Sequence, residues 1–315
     1  MTDKLGDNYL DSSSVERYDG GSTSEEESMT LCIAAECDFE GTPAIVLCAD
    51  WRAQTGTSTG LLIGTEDTYK IREIGCVSAL LSGRPSDAHE LITDCKVAIN
   101  NFCLQATESG DADIVVSSFQ TALREAAGKR KAKMTEEFVY SALGMAYADF
   151  RQTRTEHFTE FHHHIWESIT KLDLGTDLIF CGFCGDTPML IRLDRFGKAP
   201  WESNYAIVGE GTEIARAMLC LQEWNYSIPL DHCIYRLYEA KTAAHKANPS
   251  SIGAATAFQI MIKGKGRFGM EPGAQHELWE IFDGKHVVPD LKSLRFRPQG
   301  GKPYRSFKPV LIKED

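Results

Sequence analysis

The sequence lacks any apolar run near the roughly 20 residues that a membrane-spanning helix needs. Its opening segment contains no apolar stretch of the kind found in a secretory signal peptide. Basic charge is also in deficit, because 45 acidic residues outnumber 33 basic ones and give a net charge of −12. These absences predict a cytoplasmic protein that has neither a membrane nor a nucleic acid as its partner.

The composition shows no bias towards fibrous or wholly disordered chains, since 43% of the residues are hydrophobic and 25% are charged. Residues 1–28 differ from the rest: they carry eight acidic side chains, two basic ones and six serines. Such a segment cannot bury enough apolar surface to offset its ordering entropy. We therefore expect a disordered acidic leader or propeptide at 1–28, one folded domain at 29–289, and an extended basic tail at 290–315.

The ten cysteines lie mostly inside apolar segments, which predicts reduced, buried thiols. Cys181 and Cys184 have the Cys-x-x-Cys spacing of zinc and redox sites. They lie on a predicted core strand and have no second pair, so a structural role is favoured. The run His162-His163-His164 is interpreted as a solvated helix end, because adjacent histidines cannot share one helix face. No metal or organic cofactor is expected.

Hydrophobic periodicity predicts alternating blocks of strands and helices. Predicted strands cover 31–35, 44–49, 76–81, 178–183, 189–193, 206–208 and 257–262, the last paired with 277–281. Predicted helices cover 87–102, 113–128, 135–150, a segment capped by Thr212, and 230–244. Because strands come in hairpin-like pairs and not in strict βαβ units, the order favours an α+β fold of two antiparallel sheets with helices outside.

Four short segments carry candidate chemistry. Thr30 opens the first strand, Asp50 ends the second with Arg52 two residues on, Lys70 precedes the next strands, and a turn at Gly83 leads into the first helix. In this order the segments resemble the proteasome β-type N-terminal-nucleophile (Ntn) hydrolases. The resemblance extends over about 29 to 262 and implies a four-layer αββα sandwich, the Ntn-hydrolase fold.

The same resemblance implies a catalytic set of Thr30, Asp50, Lys70, Gly83 and Ser251. A Thr hydroxyl needs a base beside it, and a free α-amine with a pKa of about 7.7–8.0 serves when the Thr is the first residue. The Lys would lower the pKa of hydroxyl and amine, and the Asp would hold that Lys in place. The Gly83 N–H would stabilise an oxyanion, and Ser251 would support the amine.

Three features depart from the family pattern. Thr30 follows Met29, so its nitrogen is a peptide nitrogen unless Met29 is the true start and is removed, or the leader is cleaved. A two-residue shift would make Ser28 the nucleophile, and a chain without a nucleophile is the third alternative. In addition, Asn248 stands where the family has Asp, and Glu210 where it has Ser.

The resemblance implies a threonine peptidase that hydrolyses peptide bonds in peptides or unfolded proteins and assembles into a homo-oligomeric ring. Two alternatives stay open. A non-catalytic subunit would use the same fold as a scaffold, and an Ntn amidohydrolase would act on a small amide. The scaffold subunit is distinguished from the peptidase by whether Thr30 has a free amine and whether Asp50 and Lys70 converge on it.

Overall fold

The computed structural model describes residues 30–50, 53–56, 62–65, 70–106, 111–153, 159–222, 224–225, 227–270 and 296–298. The strands are β1 Leu31–Phe39, β2 Thr42–Asp50, β3 Ala53–Gly56, β4 Leu62–Thr65, β5 Ile71–Ile74, β6 Val77–Gly83, β7 Thr176–Cys184, β8 Thr187–Leu193, β9 Tyr205–Gly209, β10 Thr256–Ile262, β11 Gly266–Met270 and β12 Phe296–Pro298. The helices are α1 Pro85–Gln105, α2 Ala112–Leu143, α3 Tyr147–Gln152, α4 Glu160–Lys171, α5 Thr212–Leu221 and α6 Leu230–Ala247.

The strands form two main antiparallel sheets. The first, sheet A, has the order β12-β11-β10-β2-β1-β9, and the second, sheet C, has the order β5-β6-β7-β8. A separate ribbon pairs β3 with β4. The prediction of a mixed α+β fold with two antiparallel sheets and helices is confirmed.

The β1–β2 hairpin shows how local sequence fixes the first sheet. Its turn is the dipeptide Glu40-Gly41, and both residues have positive φ, 51° and 78°. Positive φ at both central residues defines a type I′ turn, whose twist suits a two-residue hairpin and whose second position favours glycine. The turn sets the register Phe39↔Thr42, which aligns the first residue of β1 with the last residue of β2.

Three apolar clusters hold the elements together. One lies between α5–α6 and sheet A, with Leu31, Ile33 and Leu237 among its members. A second lies between α1–α2 and sheet C. The third joins the two sheets directly, because alternate residues of β1 and β2 face residues of β5 to β8. Strands buried on both faces explain the unbroken apolar runs in the sequence.

Several element predictions need correction. The helices predicted at 113–128 and 135–150 form one 32-residue helix, α2, followed by the short α3. The helix continues through Gly128 and ends at Gly144, which has a left-handed φ of 66°. Thr212 is the first helical residue of α5 and not its N-cap. Its hydroxyl donates to the Gly209 carbonyl at 2.5 Å.

The partner of β10 also differs from the prediction. It is β11, at Gly266–Met270, whereas 277–281 lies outside the described residues. The leader 1–28 and most of the tail 290–315 lie outside them too. The tail contributes β12, which pairs with β11 of its own chain.

The prediction of reduced, buried thiols is wrong for three of the ten cysteines. Cys76 and Cys103 form a disulfide between the β5–β6 turn and α1, and Cys220 is exposed. Both partners of the disulfide lie in mainly apolar segments, so the sequence did not set them apart. Cys181 and Cys184 are buried in different clusters on opposite faces of β7, so the two thiols do not converge.

No helix in the described part of the chain is long and apolar enough to cross a membrane. Within the same part, no group of three or more His, Cys, Asp or Glu side chains is arranged to hold a metal ion. His162 has a local role instead: its ring and the Thr159 hydroxyl form the capping box that begins α4.

Candidate active site

Thr30, Asp50 and Lys70 meet at one edge of the space between the two sheets. Thr30 directly precedes β1, and Asp50 ends the antiparallel neighbour β2, so the hairpin register brings them together. Lys70 directly precedes β5 of the other sheet, where its carbonyl accepts a hydrogen bond from Leu81 N at 3.0 Å. The convergence of these three predicted residues therefore depends on both sheets.

One carboxylate oxygen is the centre of the site. Asp50 Oδ1 accepts hydrogen bonds from Thr30 Oγ1 at 2.7 Å, from Lys70 Nζ at 2.8 Å and from Leu31 N at 2.9 Å. Lys70 Nζ also donates to Thr30 Oγ1. The Thr hydroxyl thus lies between an ammonium group and a carboxylate.

These charges are withdrawn from water: Thr30 and Asp50 are 0% exposed and Lys70 is 4% exposed. Burying an ion pair costs several kcal/mol of desolvation per ion, and apolar residues of the same volume often replace such a pair without loss of stability. Stability alone therefore does not account for an Asp–Lys pair at this position. A polar contact kept at that cost is a candidate for chemistry.

The loop that follows α6 adds a hydrogen bond to the carboxylate. Gly253 N donates to the second oxygen, Asp50 Oδ2, at 3.0 Å. Ser251, which is 2% exposed, donates its hydroxyl to Asn248 Oδ1 at 2.9 Å. Its predicted role as support for the amine stays a prediction.

The two departures from the family pattern contact each other. Asn248 Nδ2 donates to Glu210 Oε2 at 3.3 Å, and Glu210 N donates to the Thr30 carbonyl at 2.9 Å. Asn248 has no carboxylate, but its hydrogen-bond partner Glu210 has one. Together the two side chains link the β9–α5 turn to the loop after α6, beside the main chain of Thr30.

Gly83 lies at the end of β6, with a φ of +104°. A Cβ there would collide with the carbonyl oxygen of Gly175 on the neighbouring segment. Main-chain crowding therefore requires glycine at this position. Its role as an oxyanion donor stays a prediction. Ser28, the alternative nucleophile, lies outside the described residues, as does Arg52.

Two residues beside Thr30 were missed at the level of sequence. Gly209 pairs with Leu31, has a φ of +105°, and carries a hydrogen where a Cβ would collide with the Thr30 carbonyl oxygen. Cys32 is buried and donates to the Leu81 carbonyl at 3.2 Å. Burial raises the pKa of the Cys32 thiol to about 12, despite the opposing effect of Lys70, so the neutral thiol does not compete as a nucleophile. The positive φ of Gly209 has no signal in the sequence beyond the residue itself.

Comparison with known proteins gives no relative, since no protein-family model and no curated protein matches the chain. A functional assignment therefore depends on the geometry around Thr30 and on the short motifs.

Proposed function

We propose that the chain is an Ntn hydrolase of proteasome β type that cleaves amide bonds with Thr30 as its N-terminal nucleophile. The observation that carries the proposal is the contact of Thr30 Oγ1 with both Lys70 and Asp50 in a buried site. The proposal includes a four-layer αββα sandwich. It is supported by the three apolar clusters, in the order helices, sheet A, sheet C and helices.

The chemistry needs the α-amine of Thr30 to be free. The amine accepts the Oγ1 proton as Oγ1 attacks the substrate carbonyl carbon, and the tetrahedral intermediate then expels the leaving amine, which takes that proton. The remaining ester on Oγ1 is hydrolysed by water with the same amine as base. Each cycle consumes one amide and one water, and no cofactor takes part.

The charged neighbours act on the hydroxyl. The Lys70 ammonium stabilises negative charge that develops on Oγ1, and such stabilisation is strongest where water is excluded. Asp50 holds Lys70 in position and fixes the start of β1 through Leu31 N. The Gly83 N–H is the proposed oxyanion donor, Ser251 the proposed support of the amine, and a homo-oligomeric ring in the cytoplasm the proposed setting.

The scaffold alternative is favoured by a different observation: Thr30 is fully buried, and in the full sequence its nitrogen belongs to a peptide bond. A chain that keeps this bond has no base for the mechanism. Hydrolysis of a small amide would use the same residues, so only a substrate panel separates it from peptide hydrolysis.

The test uses a variant with the recognition site of a specific protease placed directly before Thr30. It compares the full, uncut chain with the chain cut at that site. Both are incubated with fluorogenic peptides and small amides, and the protein is examined by intact-mass spectrometry for an ester adduct. We expect hydrolysis and a transient adduct from the cut chain only. The adduct maps to Thr30, and Thr30→Ala abolishes both signals.

Matched variants show whether a loss of hydrolysis comes only from a loss of folding. Thr30→Ser retains a hydroxyl and is expected to hydrolyse, whereas Thr135→Ala removes another buried Thr hydroxyl, one that bonds only locally to the Lys131 carbonyl in α2. It should leave hydrolysis unchanged. A cut chain that is folded and hydrolyses nothing would favour the scaffold function.

A further inference from the structure

Helix α6 presents two basic side chains to the loop that contacts Asp50. They are Lys241 and His245, which lie four residues apart and therefore on one face of the helix. Lys241 Nζ donates to the Ala254 carbonyl, and His245 Nδ1 lies 2.6 Å from the Ile252 carbonyl oxygen. These two carbonyls flank Gly253, whose N–H donates to Asp50 Oδ2.

The His245 contact acts on one rigid unit. The carbonyl of Ile252 and the N–H of Gly253 belong to the same peptide group, which is planar and trans. His245 holds one end of this plane at 2.6 Å, and Asp50 holds the other at 3.0 Å. Because a carbonyl only accepts, His245 Nδ1 carries a proton and is the donor. The orientation of the imidazole thus sets the direction of the N–H.

Lys241 fixes the Ala254–Ala255 peptide group, the second one along the loop after Ile252–Gly253. Its side chain is 1% exposed, so its ammonium is withdrawn from water, and a carbonyl dipole partly compensates for that loss. A residue that served only to fill the core would not need a charge here. Hydrogen bonds in a chain also polarise one another, so the imidazole that donates to the Ile252 carbonyl strengthens the donation from the Gly253 N–H of the same peptide group.

We propose that His245 and Lys241 are positioning residues of the Thr30 site, which hold the Ile252–Gly253 and Ala254 peptide groups so that the Gly253 N–H is aimed at Asp50 Oδ2. This inference rests on the proposed function for its effect on catalysis. Without the bond at Oδ2, the carboxylate loses one of the contacts that fix its plane, and the Oδ1 that contacts Lys70 and Thr30 is held less firmly. Neither residue touches the reacting atoms.

The test uses substitutions that separate the position of the donor from the presence of a side chain. In His245→Asn the amide nitrogen stands close to the position of Nδ1, whereas in His245→Gln it stands near Nε2, and His245→Ala has no donor. The amide resonance of Gly253 is followed by NMR in glycine-labelled full-length protein. We expect it to move upfield in the Ala and Gln variants and to return in the Asn variant.

In the chain that begins at Thr30, the Ala and Gln variants are expected to lower kcat about 10- to 100-fold, with KM within about twofold, because misalignment affects the chemical step. The Asn variant recovers most of the rate. Lys241→Met is expected to shift the same resonance, and Lys241→Arg to preserve it. His232→Ala removes a histidine from the first turn of α6 and should change neither signal.

The inference is overturned if the Gly253 resonance is the same in the wild type and in a folded His245→Ala variant, or if the Asn variant is shifted as far as the Ala variant. The NMR result does not depend on activity. A Thr30-first chain without hydrolysis would therefore refute the proposed function alone, while an unchanged resonance in an active enzyme would refute the positioning role alone.

Discussion

Two of the polar clusters that join sheet A to sheet C differ in their exposure to water. The inner cluster is Thr30, Asp50 and Lys70, in which the ion pair is 2.8 Å long and its side chains are 0% and 4% exposed. The outer cluster is Glu73, Gln259 and Arg267, in which the ion pair is 3.5 Å long and its side chains are 34% and 16% exposed.

The outer cluster is explained by structure alone. Arg267 donates to the Gly75 and Val77 carbonyls at 2.8 and 2.9 Å, and Gln259 donates to Glu73 at 2.9 Å, so the cluster ties the edge of one sheet to the other. Partial burial lowers the pKa of Arg267, and Glu73 opposes that shift. The inner cluster makes the same kind of link at a far larger desolvation cost, and this difference makes it the candidate for the proposed chemistry.

The largest expected effect comes from breaking the inner pair. Asp50→Asn leaves the Lys70 ammonium buried without its counter-ion, which is expected to lower the free energy of unfolding by about 3–5 kcal/mol. The double variant Asp50→Asn, Lys70→Met should recover much of this loss. Urea unfolding at constant pH measures both. A loss below about 1 kcal/mol in the single variant would place the inner pair in the same category as the outer one.

A smaller effect is expected from Gly209→Ala, which adds a Cβ against the Thr30 carbonyl at a φ of +105°. Strain of this kind costs about 1–3 kcal/mol, and it also displaces the nucleophile. The control is Gly128→Ala, in the middle of α2 with open space around it, which should stabilise the chain by up to about 1 kcal/mol. Equal effects of the two substitutions in thermal unfolding would contradict the strained geometry at Thr30.

A partly buried carboxyl near the inner cluster, that of Glu36, sharpens the comparison through its pH dependence. Glu36 lies on the same face of β1 as Cys32, and burial raises its pKa to about 7, opposed by a hydrogen bond from the Asn204 backbone. The folded chain therefore holds this proton more tightly than the unfolded chain, whose Glu has a pKa of about 4.3. Stability from this group is present below about pH 4 and is lost as pH rises towards 7.

Glu36→Gln removes that dependence. We expect the variant to be more stable than the wild type by about 1–2 kcal/mol at pH 8, with a smaller gain at pH 5. The matched control is Glu40→Gln, at the exposed turn of the same hairpin. The free energy of unfolding in urea is measured for the three proteins at both pH values. A stability gain that is larger at pH 5 than at pH 8 would contradict the prediction.

The smallest effect is expected in the outer cluster. Glu73→Gln keeps the shape and removes the charge, so the loss should be about 1 kcal/mol or less and should shrink as salt is added. Unfolding midpoints in low and high salt give the measurement. A salt-independent loss as large as that of Asp50→Asn would erase the distinction between the two clusters.

The sequence was sufficient to predict candidate site residues where polar side chains end apolar runs. Thr30 and Asp50 each stand at the end of a strand that periodicity identifies, so their approach needed only the pairing of β1 with β2. The contact with Lys70 needed the packing of the two sheets as well. The unbroken length of α2 was not predictable in this way, because Gly128 reads as a break and only tertiary packing decides that the helix continues.

Contacts between distant loops were beyond the sequence for a physical reason. Asn248 and Glu210 appeared as two separate departures from a family pattern, and their hydrogen bond exists only after β9, α5 and α6 have packed. The same holds for Lys241, which looks like a solvated helical lysine until the loop carbonyl of Ala254 is placed over it.

The most direct test of the central claim is N-terminal sequencing, with intact-mass spectrometry, of the fraction that hydrolyses amide substrates. We predict a chain whose first residue is Thr30, because only then does the nucleophile carry its own base. A hydrolysing chain that still carries Met29, or one that begins at Ser28, would contradict the account.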